Sequence, residues 1–306
     1  MDVADQTMDR PAGVPAKPAR AEVSPAISLV VATVNRTTQL VRLLDSLLAQ
    51  TRGDFEVVIV DQNAPGVLAP IVERYAGRLA IVHVPCGLGV SRARNLGIRL
   101  ARGALICFPD DDCWYAPCTV ADVLAFFDTH ADVDMMLGRT IDAQGDESVS
   151  RYLKSSQQVS WRNVWLAGNT NALFVRRDAV KAVGGFDEKL GPGSGTPFNC
   201  GEDTDFIMMA LEHGVRIHFE HAVATHHDQT DRVLDERYLT RVRGYSVGYG
   251  RVLRKHGYGL AYLLYRFARM MPRTLISLAT GNWPQATFTR VWVAGALRGY
   301  FSALPF

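Results

Sequence analysis

The stretch Ala104-Leu105-Ile106-Cys107-Phe108-Pro109-Asp110-Asp111-Asp112 decides how this chain is read. An apolar run of that length is a buried strand of an α/β sheet, so the three aspartates emerge at its carboxyl end, where open sheets of this kind hold their ligands. Clustered carboxylates repel one another unless positive charge sits between them. A divalent cation is the usual answer. Magnesium or manganese bound by one or two carboxylates keeps positions open for substrate phosphates. The alternative is a solvated acidic turn, because so short a motif often matches by chance.

The segments before the run set its context. From Ile27 onward, short apolar runs alternate with helical patterns, which is the βαβ signature of a mostly parallel sheet flanked by helices. Strands are expected at Ile27–Val34, Phe55–Val60 and Leu79–Val84. Helices are expected at Thr37–Gln50, with Leu40, Leu43, Leu44, Leu47 and Leu48 as the buried stripe, at Val67–Tyr75, and from Ser91 to about Ala101. Beyond the aspartates, strands are expected near Val133–Leu137, Ala172–Val175 and Val215–Phe219, with a helix over Asp203–His213. Four strand ends thus carry polar residues that can converge: Thr33 to Arg36, Asp61 to Asn63, the Asp110 cluster, and Gly201 to Asp205. Gly87-Leu88-Gly89 is not GxGxxG and no GxxxxGK[ST] occurs, which counts against hydride transfer and P-loop hydrolysis.

A chain of 306 residues that is 48% hydrophobic can bury a full core, in one large domain or two small ones. Cys86, Cys107, Cys113, Cys118 and Cys200 are odd in number and form no CxxC pair, so neither a disulfide framework nor a zinc site is expected and a reducing cytoplasm fits. Residues 1–25 are Ala/Pro/charged with no apolar segment, and read as a disordered leader rather than a secretory signal. The net charge of +2 hides a division: Arg237 to Phe306 holds eleven of the 33 Lys and Arg residues and no Asp or Glu. Such asymmetry points to an anionic partner surface.

Five segments together resemble the bacterial family 2 glycosyltransferases of the GT-A fold: ISLVVATVNRTTQLVRLLDSLLAQ from Ile27, FEVVIVDQN from Phe55, GVSRARNLGIRLARGALICFPDDDCWY from Gly89, VGGFDEKLG from Val183 and GEDTDF from Gly201. The resemblance implies a GT-A domain over 26–231, followed by a helical, basic, amphipathic extension over 232–306. It also implies inverting transfer of a sugar from a nucleotide-sugar donor, with Mn2+ or Mg2+ on the diphosphate.

Carried over residue by residue, Thr33, Asn35 and Arg36 would line the nucleotide pocket. Asp61 would accept from the pyrimidine N–H. The second strand ends in Asp61-Gln62-Asn63 where many members have two acidic residues, so UDP is expected with dTDP as the alternative. Arg94 would face the diphosphate or nearby carboxylates, Asp110 the ribose or donor sugar and Asp112 the metal, with Asp111 open between donor and metal. Asp203 would be the general base and Glu202 would orient the acceptor or a loop, although acidic residues there also cap helices. His226 would complete the metal shell, with His227 as fallback. Trp114, Tyr115, Trp161 and Trp165 stand open between an acceptor platform and core packing. Gly191 to Pro197 is expected to be a mobile loop near the base.

Polymerising relatives carry a QxxRW motif after the base and this sequence has none, so single-sugar transfer to a glycan or lipid-linked acceptor in bacterial surface or secreted polysaccharide assembly is expected. A nucleotidyltransferase would need a glycine-rich basic signature near the first strand, which Ala32-Thr33-Val34-Asn35 lacks. A catalytically silent sugar-nucleotide-binding subunit would not need to keep Asp110 to Asp112 and Asp203. The tail interleaves Leu260, Leu264, Leu275, Trp283 and Trp292 with Arg269, Arg273 and Arg290, and lacks about 20 uncharged apolar residues in a row. It is expected either to lie on the anionic inner face of the cell membrane or to pack on the catalytic domain. No nucleic-acid partner is expected.

Overall fold

A computed structural model describes residues 24–229 and 234–303. Most of the expected leader, and the expected boundary at 231, lie outside the described residues. Among these the chain runs β1 (Ile27–Thr33), α1 (Thr37–Leu48), β2 (Phe55–Asp61), α2 (Ala69–Tyr75), β3 (Ile81–Pro85), α3 (Val90–Leu100), β4 (Leu105–Cys107), β5 (Cys113–Trp114), α4 (Thr119–Thr129), β6 (Met135–Ile141), β7 (Gln157–Gln158), β8 (Leu173–Arg176), α5 (Arg177–Val183), α6 (Glu202–Glu212), β9 (Ile217–His227), α7 (Glu236–Lys255), α8 (Leu260–Ala279) and α9 (Trp283–Tyr300).

The strands form one sheet in the order β3-β2-β1-β4-β8-β6-β9-β5, with β7 paired to β9. β1 to β4 are mutually parallel, as the alternation of apolar runs and helices requires. Beyond β4 the sheet is mixed, because β8 runs antiparallel to both β4 and β6. Period-two alternation divides the core between the two faces. Leu29, Val31, Val57 and Ile59 pack with the leucine stripe of α1 on one side, while Val30, Val58 and Val60 pack with Ala93 of α3 and Phe206 of α6 on the other. α3 lies close enough to β1 that a Cβ at Gly97 would come within 2.2 Å of Val30 Cγ1. A side chain at that position would push α3, and the arginine it carries, off the sheet.

The C-terminal helices are not independent of this core. α7 presses on the segment that leads into α6, where a Cβ at Gly248 would meet the Cys200 carbonyl oxygen at 2.2 Å. Its end is latched by charge. Lys255 Nζ reaches Asp205 at 2.8 Å and Asp187 at 2.9 Å, and His256 Nε2 reaches the other oxygen of the fully buried Asp205 at 2.8 Å. α9 crosses α7 at glycines: a Cβ on Gly299 would meet the Val247 carbonyl oxygen at 1.9 Å, and one on Gly250 the Ala296 carbonyl oxygen at 2.0 Å. α8 is different. Of its 20 residues only Leu263 and Ser277 are buried, and Leu264, Tyr265, Met271, Leu275, Ile276 and Leu278 are exposed. The packing alternative therefore describes α7 and α9, while α8 keeps an open apolar face.

Candidate active site

The carboxyl ends of β1 and β4, the first turns of α3 and α6, and the middle turns of α7 and α9 surround one cavity of about 740 Å³. Asn35, Arg36, Arg94, Asp110, Asp111, Glu202 and Asp203 all line it. Thr33 and Asp61 do not: they are register partners at the ends of β1 and β2, 1% and 6% exposed, beneath the lining. Asp61 has its oxygens taken. One accepts from both the backbone and side-chain amides of Asn63, at 2.8 Å each, and the other lies 2.9 Å from His83 Nε2. Burial alone would raise its carboxyl, but these partners outweigh it and hold Asp61 below the usual range. The cavity floor next to it belongs to Gln62, whose Oε1 accepts from the Gly89 amide at 2.7 Å.

Arg94 is the hub. It is 3% exposed, and its guanidinium donates to Asp203 Oδ1 at 2.8 Å, Asp110 Oδ1 at 3.1 Å and Thr170 Oγ1 at 2.8 Å, with Glu202 Oε1 at 3.9 Å. The helical register of α3 aims it inward, and Phe186 lies under it at 5.2 Å. Asp203 Oδ2 also faces the Thr170 amide at 3.3 Å. One cation thus binds carboxylates from β4 and α6 together, fixing Asp203 at the cavity wall. Desolvation, and then the neighbouring Asp203, pushes Glu202 well above the usual carboxyl range against the pull of Arg94. Gly201, with φ at 99°, turns the chain into α6 and gives the helix an N-terminus with no side-chain cap. Acidic residues in that first turn complement the positive end of the helix dipole.

On the other side of the aspartate run, Arg36 Nη1 bridges Asp111, at 3.1 Å, and Asp112. Asp112 Oδ1 is buried without a hydrogen-bond partner among the described residues, and lies 3.3 Å from His227 Nε2. The register explains which histidine arrives there. β5 pairs antiparallel with β9, setting Cys113 opposite His227 and Trp114 opposite His226. Successive residues of a strand face opposite sides. His226, opposite Trp114, stacks on its ring at 5.4 Å with its Nδ1 unpartnered among the described residues, which leaves His227 on the other face of β9, beside Asp112. Burial works against a charged His227, but Asp112 outweighs it and raises the imidazole, while burial lowers His226. Among the described residues no three His, Cys, Asp or Glu side chains converge as a metal cage.

Several residues at the site carry no local signal in the sequence. Arg42 of α1 donates to the Asp112 carbonyl at 2.9 Å and lies 4.1 Å over the Trp114 ring. Thr170, in a 3₁₀ turn 76 residues further on, holds Arg94. Of the open aromatic residues, Trp165 lines the cavity, Tyr115 is core, Trp161 is exposed beside His256, and Trp114 is held between Arg42 and His226. The Gly191 to Pro197 segment is a hydrogen-bonded turn rather than an open linker. The Val90 amide donates to the Pro192 carbonyl at 3.0 Å, and a Cβ on Gly193 would meet the Gly89 nitrogen at 2.8 Å.

Residues 28–184, just over half of the chain, match the family described as Glycosyl transferase family 2. A PGL/p-HBAD biosynthesis glycosyltransferase of Mycobacterium tuberculosis is 25% identical over 228 residues, 72% of this chain and 84% of the relative. Among solved structures, Staphylococcus aureus TarS 1-349 in complex with UDP-GlcNAc is similar with a TM-score of 0.58 at 19% identity, covering 89% of this chain and 90% of that one. A mannosyltransferase from Pyrobaculum calidifontis in complex with GDP-Man and Mn2+ gives a TM-score of 0.63 at 16% identity, covering 92% and 89%. A longer TarS chain is matched over 42% of its length. The α/β sheet with its helical C-terminal region is thus the fold of these enzymes, and the chain belongs to glycosyl transferase family 2.

Proposed function

We propose that the protein is a metal-dependent inverting glycosyltransferase that moves a single sugar from a nucleotide-sugar to a hydroxyl of a glycan or lipid-linked acceptor, with UDP as the nucleotide and dTDP as the alternative. The observation that carries this reading is Arg94, which holds Asp203 at the wall of the cavity that Asn35, Arg36 and Asp110 also line. In this reading the nucleotide lies over Asn35 and Gln62, and the donor sugar sits near Asp110. Asp203 takes the proton from the acceptor hydroxyl as its oxygen bonds to the anomeric carbon, and the bond to the diphosphate breaks with its electron pair on the departing oxygen. Glu202, held protonated by burial, adds no second negative charge beside that base.

The residues beside Asp112 suit a divalent cation. Among the described residues Asp112 Oδ1 is a buried acceptor without a hydrogen-bond partner, and His227 Nε2 lies beside it. Two protein ligands leave the remaining positions to diphosphate and water, the arrangement magnesium and manganese favour. When bound there, the cation stabilises charge on the departing diphosphate. Calorimetry with UDP tests this. Manganese should tighten UDP binding in the wild type and fail to do so in Asp112→Ala, with His227→Ala intermediate and His226→Ala close to wild type. Equal UDP affinity with and without manganese in the wild type would remove the metal from the reading.

The open face of α8 supports membrane attachment at the cytoplasmic surface. Its exposed leucines, Ile276 and Met271 lie among Arg269 and Arg273, on a helix with no acidic residue, and Trp283 follows at 66% exposure. No described helix is long and apolar enough to cross a membrane. An amphipathic helix lying in the interface suits that surface, each basic residue adding about 1 kcal/mol near anionic lipid. The protein should co-sediment with phosphatidylglycerol vesicles at low salt and less at high salt. Absence of binding at low salt would reject attachment.

A further inference from the structure

The cavity has two unlike halves. Asn35, Arg36 and Gln62 give it a polar part, whereas Trp165, Tyr249 and Trp292 cluster as an aromatic wall, and Tyr245 also lines the cavity. These rings come from three places in the chain: the 3₁₀ turn Val164–Leu166, α7 and α9. The wall is therefore assembled by docking of the C-terminal helices on the catalytic core. Its geometry is fixed. Trp165 meets the Tyr249 ring edge-on at 5.0 Å, Trp292 lies 5.6 Å from Tyr249, and Trp165 Nε1 donates to the Tyr258 hydroxyl at 3.3 Å.

Three residues lining the same cavity carry a buried polar atom with no partner among the described residues: Asn171 Oδ1, Glu202 Oε2 and the Tyr249 hydroxyl. The three residues are 2%, 9% and 9% exposed. Buried polar atoms of folded proteins are nearly always paired, and leaving one unpaired is costly. Aromatic faces beside unpaired polar atoms suit a ligand that is apolar on one side and hydroxylated at its edge. An aliphatic chain would leave the polar atoms unmet. The nucleotide belongs to the other half, next to Gln62 and Gly89.

We propose that this half of the cavity is the acceptor subsite, and that it holds the acceptor by a hydroxylated ring with an apolar face, the chemistry shared by a pyranose and a phenol. The assignment rests on the glycosyl-transfer reading, because it gives the stacked ring the role of presenting its hydroxyl towards Asp203. The specificity-determining residues are then Trp165, Tyr249 and Trp292, and the basic C-terminal extension is part of the substrate site as well as a scaffold.

Saturation-transfer NMR on the full chain, with methyl β-D-glucopyranoside in one arm and 4-ethylphenol in the other, tests this without knowledge of the natural acceptor. At least one probe should bind saturably, and the arm that binds identifies the ring. Trp292→Ala should weaken that binding about tenfold and Tyr249→Phe about threefold, the sizes expected for one aromatic contact and one neutral hydrogen bond. Binding of UDP, measured separately, should not change in either variant. Circular dichroism controls for folding, and if Trp292→Ala unfolds the extension, Tyr249→Phe, which removes a single oxygen, decides alone. Binding of neither probe, or unchanged binding in the folded variants, overturns the proposal. Failure of the wild type to bind UDP would instead count against the donor reading, and leaves the ring-binding result to be read on its own.

Discussion

Asp203→Asn should keep nucleotide binding and lose sugar transfer by about 10²- to 10⁴-fold, the effect of removing a positioned general base. The substitution is nearly isosteric. Arg94 Nη1 donates to Asp203 Oδ1 at 2.8 Å and can still donate, more weakly, to an amide oxygen, while the Thr170 amide loses its acceptor at Oδ2, so the hub loosens but the fold survives. A carboxamide cannot take the acceptor proton, however, and burial of the neighbouring Glu202 favours its neutral form, which makes it a poor substitute base. The check is kcat with a nucleotide-sugar beside the affinity for UDP from calorimetry. Turnover within a few-fold of wild type would take the base role away from Asp203.

Arg94→Met should be the most destabilising single change at the site. The side chain is 3% exposed and serves Asp203, Asp110 and Thr170 at once. Removing one partner of a buried charge pair costs about 3–5 kcal/mol, because the other is left without compensation. Here the carboxylate partners are 40% and 26% exposed as side chains, so solvent takes up part of the loss and the lower end of that range is expected. Arg94→Lys should fall between, since an ammonium keeps the charge but cannot reproduce the planar fork that reaches two carboxylates and a hydroxyl. Urea denaturation measures both. A loss below about 1 kcal/mol in Arg94→Met would mean that the carboxylates do not depend on this arginine.

Much of the scaffold was legible because its signals are local. The apolar run Leu105 to Cys107 placed Asp110, Asp111 and Asp112 at a strand end, and the leucine stripe of α1 appears on its buried face as the spacing requires. Strand ends shifted by one to four residues where polar residues continue the ladder. β9 is the larger departure, running on past the expected end at Phe219 through Ala222-Val223-Ala224 to His227 as one strand. That extension is what sets His227, rather than His226, beside Asp112. Their strand parity becomes readable only once Cys113 and Trp114 are known to pair with them, and two adjacent residues in sequence carry no such information. Asp61 shows the opposite limit. Its position at the end of β2 was legible, but the partners that occupy its oxygens, Asn63 and His83, depend on a turn and on a neighbouring strand.

The aromatic wall was the least legible part. Tyr249 and Trp292 lie in a basic helical segment, and their spacing there reads as ordinary amphipathic packing. They reach the cavity because α7 crosses α9 at Gly250 and Gly299 and seats on the Cys200 carbonyl at Gly248. Such contacts join residues about 50 positions apart through backbone approach, and leave no periodic trace. The same docking explains how one extension can line the cavity with α7 and α9 and still leave α8 open to a surface.

Transfer to water needs no knowledge of the acceptor and reports the stereochemistry of the reaction. With a panel of UDP-, dTDP- and GDP-sugars and manganese, proton NMR should show nucleoside diphosphate released from one member of the panel. The freed sugar should appear first as the anomer opposite to that of the donor, before mutarotation mixes the two. A first-formed anomer that retains the donor configuration, or no turnover of any nucleotide-sugar, would contradict inverting transfer at Asp203.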